Sequence, residues 1–181
     1  MNKFDDLFEL NEKLDAVLSD MKKANKYLEN ELKEKRDAAQ KQMFDDMDIL
    51  RGYMKKVGMS AITLTTGINP IGRPDIVMEF YFYASNSELG LKTRSVKHSS
   101  DYTFHRWFKR DIPIEKADVG CYGEYKKEYM YTIMKNWDVA YTNMQNDLFD
   151  KIKEFMAEKA AKVTQKKSEL VTLLDDFCRK E

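Results

Sequence analysis

The chain has 181 residues, and its 31 basic side chains are matched by 31 acidic ones, so no net field commits it to DNA or to a membrane surface. Charged residues make up 34% of it against only 7 Gly and 3 Pro, which suits long helices in one ordinary domain with an appendage better than a loop-rich fold. No apolar run approaches the roughly 18 residues of a membrane span, and two cysteines, Cys121 and Cys178, are too few for a disulfide framework and point to reduced thiols in a cytoplasmic protein.

The opening "MNKFDDLFELNEK" is acidic and periodic, so no signal peptide is expected. Apolar residues then recur at alternating steps of three and four: Leu7, Leu10, Leu14, Val17, Met21, Ala24 and Leu28. This is a heptad seam, the pattern of a helix packed lengthwise on another. It fades in "ELKEKRDAAQK" and returns in a new phase as Met43, Met47, Leu50, Met54 and Val57. With no Gly or Pro before Gly52, the reading is one helix over 1–57, ended by Gly58.

Residues 58–112 have a different texture. "AITLTT" alternates and is β-branched, "GINPIGRP" is a turn-rich loop, and "DIVMEFYFYA" is a strand with Ile76, Met78, Phe80 and Phe82 on one side and Val77, Glu79, Tyr81 and Tyr83 on the other. "SNSE" and "KHSS" turn the chain into "LGLKTRSV" and "DYTFHRWFKR". The expectation is a small antiparallel sheet of three or four strands, its apolar face covered by helix ends near Met54 and Tyr129.

From 122 to the end the heptad pattern resumes. Met134, Trp137, Tyr141, Met144 and Leu148 form one run, and Phe149, Ile152, Met156, Val163, Leu170, Leu173 and Phe177 another, with Lys159 and Lys166 on the same seam. The reading is a second long helix over 122–181, with Cys121 and Cys178 at its two ends. The expected fold is therefore α+β: one domain, 1–181, in which two long antiparallel, coiled-coil-like helices flank a small antiparallel β-sheet. Each helix would be roughly 80 Å long at about 1.5 Å per residue. The two stripes would bury each other, or helix swapping into a four-helix dimer would bury them, so a homo-oligomer is one of the expected arrangements.

The stretch "KTRSVKHSSDYTFHRWFKR" interleaves Lys92, Arg94, Lys97, Arg106, Lys109 and Arg110 with Tyr102, Phe104, Trp107 and Phe108, against a single acid, Asp101. Bases beside aromatics can clamp phosphates or carboxylates and stack on rings. The competing reading is plain strand alternation with one solvated side. As a binding surface it is assigned Lys92, Arg94, Lys97, Arg106, Trp107, Lys109 and Arg110, and its partner is a protein or nucleoprotein, or a nucleic acid, with no membrane.

No catalytic motif stands out. His98 and His105 lack a Cys or His partner at ligand spacing, so no metal site and no Cys/His nucleophile are expected. "RPD" with Glu79 and "EYK" at Glu124 to Lys126 superficially match the acids and lysine of metal-dependent nucleases, but Glu124 and Lys126 fall at the start of a helix instead of on a strand. "GINPIGRP" lacks the G-x-x-x-x-G-K of a phosphate cradle. "FDDMD" at Phe44 to Asp48 and "LDDF" at Leu174 to Phe177 read as solvated helix faces, and the methionines at seam spacing as core filling. No cofactor is expected.

In style the whole chain resembles small proteins of phages and mobile elements, among them the anti-CRISPR proteins, which inhibit RNA-guided nucleases by binding them. The resemblance lies in small size, absence of a catalytic motif, usage rich in Lys, Asp, Asn, Tyr and Met, and a helical rod carrying a basic β end. It carries over no individual residues. It implies a non-enzymatic inhibitor that occludes a nucleoprotein enzyme. The rival expectations are a structural or oligomerising coiled-coil protein, a nucleic-acid-binding protein, and an enzyme using Glu79 or the histidines.

Overall fold

A computed structural model describes residues 3–98, 102–116 and 127–178, with side chains for all of these except 3–7, 105, 115, 127 and 173–178. The fold is mixed helix and strand. Helix α1 (Lys3–Val57) leads into β1 (Ala61–Thr65), β2 (Ile76–Tyr83), β3 (Leu89–Ser95) and β4 (Tyr102–Phe108), then a 3-10 turn (Ile114–Lys116), α2 (Lys127–Lys135) and α3 (Trp137–Cys178). The four strands form one antiparallel sheet in the order β1-β2-β3-β4. The chain divides into two compact units, 1–41 and 42–181, at the end of the polar stretch Glu31 to Lys41.

The core belongs to the second unit. Alternation along β2 sends Met78, Phe80 and Phe82 inward, joined by Ile62 and Leu64 of β1, Leu89 and Leu91 of β3, and Phe108 of β4. Against this face pack Met43, Phe44, Met47, Leu50 and Met54 of α1, Met130 and Ile133 of α2, and Trp137, Ala140, Met144 and Leu148 of α3. Burying each of the Leu, Ile, Phe and Met side chains among them stabilises by roughly 1.5–3 kcal/mol. Trp137 meets Phe80 edge-on at 6.5 Å, and its indole nitrogen donates to the Asp46 carboxylate at 2.6 Å.

Two expectations about the helices are corrected. The C-terminal helix is broken at Asn136. The Asn136 side-chain amide donates to the Thr132 carbonyl at 2.8 Å, while its own carbonyl accepts from Ala140 N at 3.0 Å, closing α2 and opening α3. Asn is a favoured residue at such junctions, but with neither Gly nor Pro there the helical periodicity reads straight through. The two long helices are also parallel where they meet. Asn143, Asp147 and Lys151 of α3 reach the backbone of Thr66, Thr65 and Thr63 in that order, so α3 runs antiparallel to β1. The turn at Gly58 sends β1 back along α1, so α1 also runs antiparallel to it. In keeping with this, Leu50 and Tyr53 line a groove with Gln145 and Leu148, and Lys56 and Val57 line the next with Met156 and Lys159. The antiparallel expectation treated the sheet as an insertion in a simple helical hairpin, whereas α3 takes its direction from its contacts with the edge of β1.

The stripes beyond the core are not buried. Phe8, Leu10, Leu14, Val17, Met21 and Leu28 of the first unit are all more than half exposed, and so are Met156, Val163 and Leu170 of α3.

Contacts from α3 also protect the sheet's first edge. β1 would present unpaired backbone groups, a liability for edge-to-edge association. The Asp147 carboxylate accepts from Thr65 N at 2.8 Å, Lys151 donates to Thr63 O at 2.7 Å and Asn143 donates to Thr66 O at 3.0 Å. Gly67 makes the close approach possible. It has φ +66°, and a Cβ there would lie 2.2 Å from the Asn143 side-chain nitrogen. Gly72 has a similar φ of +73° with nothing within 4 Å of a Cβ. Gly72→Ala is therefore expected to cost about 1–2 kcal/mol, the left-handed penalty alone. Gly67→Ala should cost roughly 1 kcal/mol more, because the Asn143 hydrogen bond is displaced. Urea denaturation of the two variants measures this, and equal losses would contradict the α3–β1 contact.

Candidate functional site: the outer face of the sheet

The inner face of the sheet is covered by helices, and the outer face carries most of the chemistry. Its composition follows from a β-bulge. Leu91 pairs with Arg106, but its neighbour Lys92 pairs with Phe104, so His105 is the extra residue on β4. Strict alternation would put Tyr102, Phe104, Arg106 and Phe108 on one face. The bulge instead leaves Tyr102 and Phe104 opposite the outward Arg94 and Lys92, and places Arg106 and Phe108 opposite the inward Leu91 and Leu89. Trp107, opposite Gly90, points outward with Phe104.

The result is an aromatic surface. Trp107 lies 5.3 Å from Phe104, 5.7 Å from Tyr81 and 6.0 Å from Tyr83, the last in a stacked arrangement. Tyr81 and Tyr83 meet edge-on at 5.1 Å. A hydrogen bond with Tyr83, and secondarily burial, holds the Tyr81 phenol above its ordinary pKa. Gly90 is the floor: a Cβ there would stand 2.7 Å from the Phe104 ring and 3.2 Å from the Trp107 ring. The Lys92 ammonium sits 4.7 Å from the ring centres of both Tyr81 and Tyr102, a cation–π position on each. Tyr102 is 61% exposed.

The expected site residues are thus only partly brought together. Lys92, Arg94 and Trp107 share the outer face. Arg94 is not a bare cation, because its Nε donates to the Glu79 carboxylate at 2.6 Å. A polar groove beside it is lined by Arg73, Asp75, Arg94 and Tyr102, with Arg73 and Asp75 paired at 3.2 Å. Lys97 is exposed in the turn after β3. Lys109 and Arg110 lie beyond β4: Lys109 pairs with Glu88 at 3.2 Å, and Arg110 pairs with both Asp45 and Asp48 of α1. Arg106 is corrected outright, since it is 3% exposed on the inner face and cannot serve as a solvated base. Sequence reasoning missed Tyr81 and Tyr83 as members of the site; their place opposite the apolar run of β2 was the available signal.

The same ion pairs correct the reading of "FDDMD" as a solvated face. Asp46 accepts from Trp137, while Asp45 and Asp48 hold Arg110. Asp48 also pairs with the buried Arg51, whose guanidinium donates to Glu88 O at 3.0 Å and lies 5.4 Å from the Phe82 ring centre. Burial pulls the Arg51 pKa down, and Asp48 pulls it back.

The remaining candidates come to little. His98 is exposed and its backbone N donates to Ser95 Oγ at 3.3 Å. The His105 side chain, Cys121, Glu124, Lys126 and the "LDDF" side chains lie outside the described residues. "GINPIGRP" is a loop between β1 and β2, in which the Asn69 amide donates to the carbonyls of Pro74 and Ile76. Among the described residues no three His, Cys, Asp or Glu side chains are placed to hold a metal ion, and no helix is long and apolar enough to cross a membrane. No protein-family model, curated protein or solved structure matches the chain.

The buried and exposed bases should separate in stability measurements. Arg106→Ala removes a packed inner-face side chain and is expected to cost about 2 kcal/mol. Lys97→Ala should stay within about 0.5 kcal/mol. Chemical denaturation of both variants checks this, and an equally small effect of Arg106→Ala would contradict the bulged register of β4.

Proposed function

We propose that this is a non-enzymatic binding protein, an inhibitor that covers part of a nucleoprotein enzyme such as an RNA-guided nuclease, acting in the cytoplasm through the outer face of its sheet. The observation that carries this reading is the cluster of Tyr81, Tyr83, Tyr102, Phe104 and Trp107 on the sheet face opposite the core, with Lys92 held between two of its rings. Trp, Tyr and Arg are the side chains that dominate protein–protein binding energy when they stand together. They bring large contact area at little cost in conformational freedom.

The charge arrangement favours the protein part of such a target over bare nucleic acid. Arg94, Lys109 and Arg110 are matched by Glu79, Glu88, Asp45 and Asp48, and Arg106 is buried, so the stretch is far less cationic in the fold than in the sequence. A phosphate-tracking surface needs several uncompensated cations. A second reading, a structural or oligomerising role, draws on the exposed apolar stripe of residues 8–32.

The test is cleavage by a panel of purified RNA-guided nucleases with the protein added in stoichiometric excess. At least one enzyme should be inhibited. Trp107→Ala, with folding checked by circular dichroism, should weaken that inhibition by about 2 kcal/mol, roughly thirtyfold in Kd. Absence of inhibition across the panel would contradict the inhibitor reading, and inhibition unaffected by Trp107→Ala and Tyr83→Ala would remove the sheet face as its surface.

A further inference from the structure

Residues 1–41 form a unit of their own, described from Lys3 as a single stretch of helix in which no described apolar side chain is buried. Phe8 is 67% exposed and Val17 56%, with Leu10, Leu14, Leu18, Met21, Leu28 and Leu32 each above half. A lone helix in water draws little stability from propensity, and most comes from covering its apolar face. This face is a regular heptad seam, which requires another helix alongside. We propose that the partner helix is the same segment of a second copy of this chain, running in the opposite direction. This inference is independent of the inhibitor reading.

The seam is matched to itself under reversal. Rotation about a two-fold axis between Val17 and Met21 sets Leu10 opposite Leu28, Leu14 opposite Ala24, and Val17 opposite Met21. Each first-position seam residue then meets a fourth-position one, as antiparallel helices require. Leu18, flanking the seam near the axis, meets its own mate and widens the apolar contact at the centre.

The charges specify the direction. Residues 1–20 carry six acids, Asp5, Asp6, Glu9, Glu12, Asp15 and Asp20, against Lys3 and Lys13. Residues 21–41 carry seven bases, from Lys22 to Lys41, against four acids, Glu29, Glu31, Glu34 and Asp37. Antiparallel pairing lays the acidic half of each copy on the basic half of the other, whereas parallel pairing stacks like on like. The contact is isologous and closes on itself, so a dimer and not a filament results. The exposed stripe of α3 is a poorer partner for a second copy of itself, because Lys159 and Lys166 interrupt it at seam positions.

Sedimentation equilibrium of the full chain at micromolar concentrations should give a dimer. Val17→Asp combined with Met21→Asp should give a monomer with an unchanged near-ultraviolet circular dichroism spectrum, since both side chains are exposed in the single chain. Direction is read by oxidative crosslinking in a background with Cys121→Ser and Cys178→Ser. Leu10→Cys with Leu28→Cys should form interchain disulfides, and Leu10→Cys alone should not. A monomeric wild type, a dimer untouched by the aspartate pair, or efficient linking of Leu10→Cys alone would each overturn the proposal. If Val163→Asp rather than the α1 pair abolished dimerisation, the interface would lie on α3 and the proposal would fall as well.

Discussion

Burial of one face of a four-stranded sheet is the constraint on which the rest of this molecule depends. Met78, Phe80, Phe82, Leu89, Leu91 and Phe108 need cover, and the C-terminal part of α1 with α2 and the first turns of α3 supplies it. With residues 42–57 of α1, α2 and the first turns of α3 on that side, the aromatic side chains of the opposite face pack among the described residues against one another and against Lys92. Their contacts hold them as a surface, because cross-strand aromatic pairs are favourable but leave one side of each ring to solvent. The site is thus a by-product of the core, and what distinguishes it is which side chains the bulge at His105 sends there.

The ion pairs around Asp48 and Glu88 have a related role. Arg110, just beyond β4, binds Asp45 and Asp48 of α1, Asp48 also holds Arg51 of the same helix, and Lys109 binds Glu88, just before β3. The exposed pairs of Lys109 and Arg110 contribute little stability individually. They neutralise charge that, in the linear sequence, looked free for a polyanion.

Much of the architecture was legible because it is written in short periods. The seam of Met43, Met47, Leu50 and Met54 and the strict alternation of β2 each depend on one element, and each projects onto the core as expected. Three features depend on two elements at once and were not legible. The bulge is a mismatch between β3 and β4, visible only when Lys92 is found opposite Phe104. The break at Asn136 is made by its side chain and the turn before it, without Gly or Pro to mark it. The direction of α3 relative to α1 is set by what Asn143, Asp147 and Lys151 find on the edge of β1, and equal heptad stripes cannot encode it. For the site, Lys92 and Trp107 were identified from their own stretch. Tyr81 and Tyr83 were read only as the far side of a strand, and Arg106 lay on the wrong face because one residue of bulge reverses orientation.

The most direct measurement of the central claim is hydroxyl-radical footprinting, read residue by residue by mass spectrometry, of the protein free and mixed with an RNA-guided nuclease, the class of target proposed for it. The account predicts that Tyr83, Tyr102 and Trp107 lose reactivity together on complex formation, while Phe149 and Met156 of α3 are unchanged. Unaltered reactivity of those three aromatics at saturation, with protection confined to the helices, would contradict it.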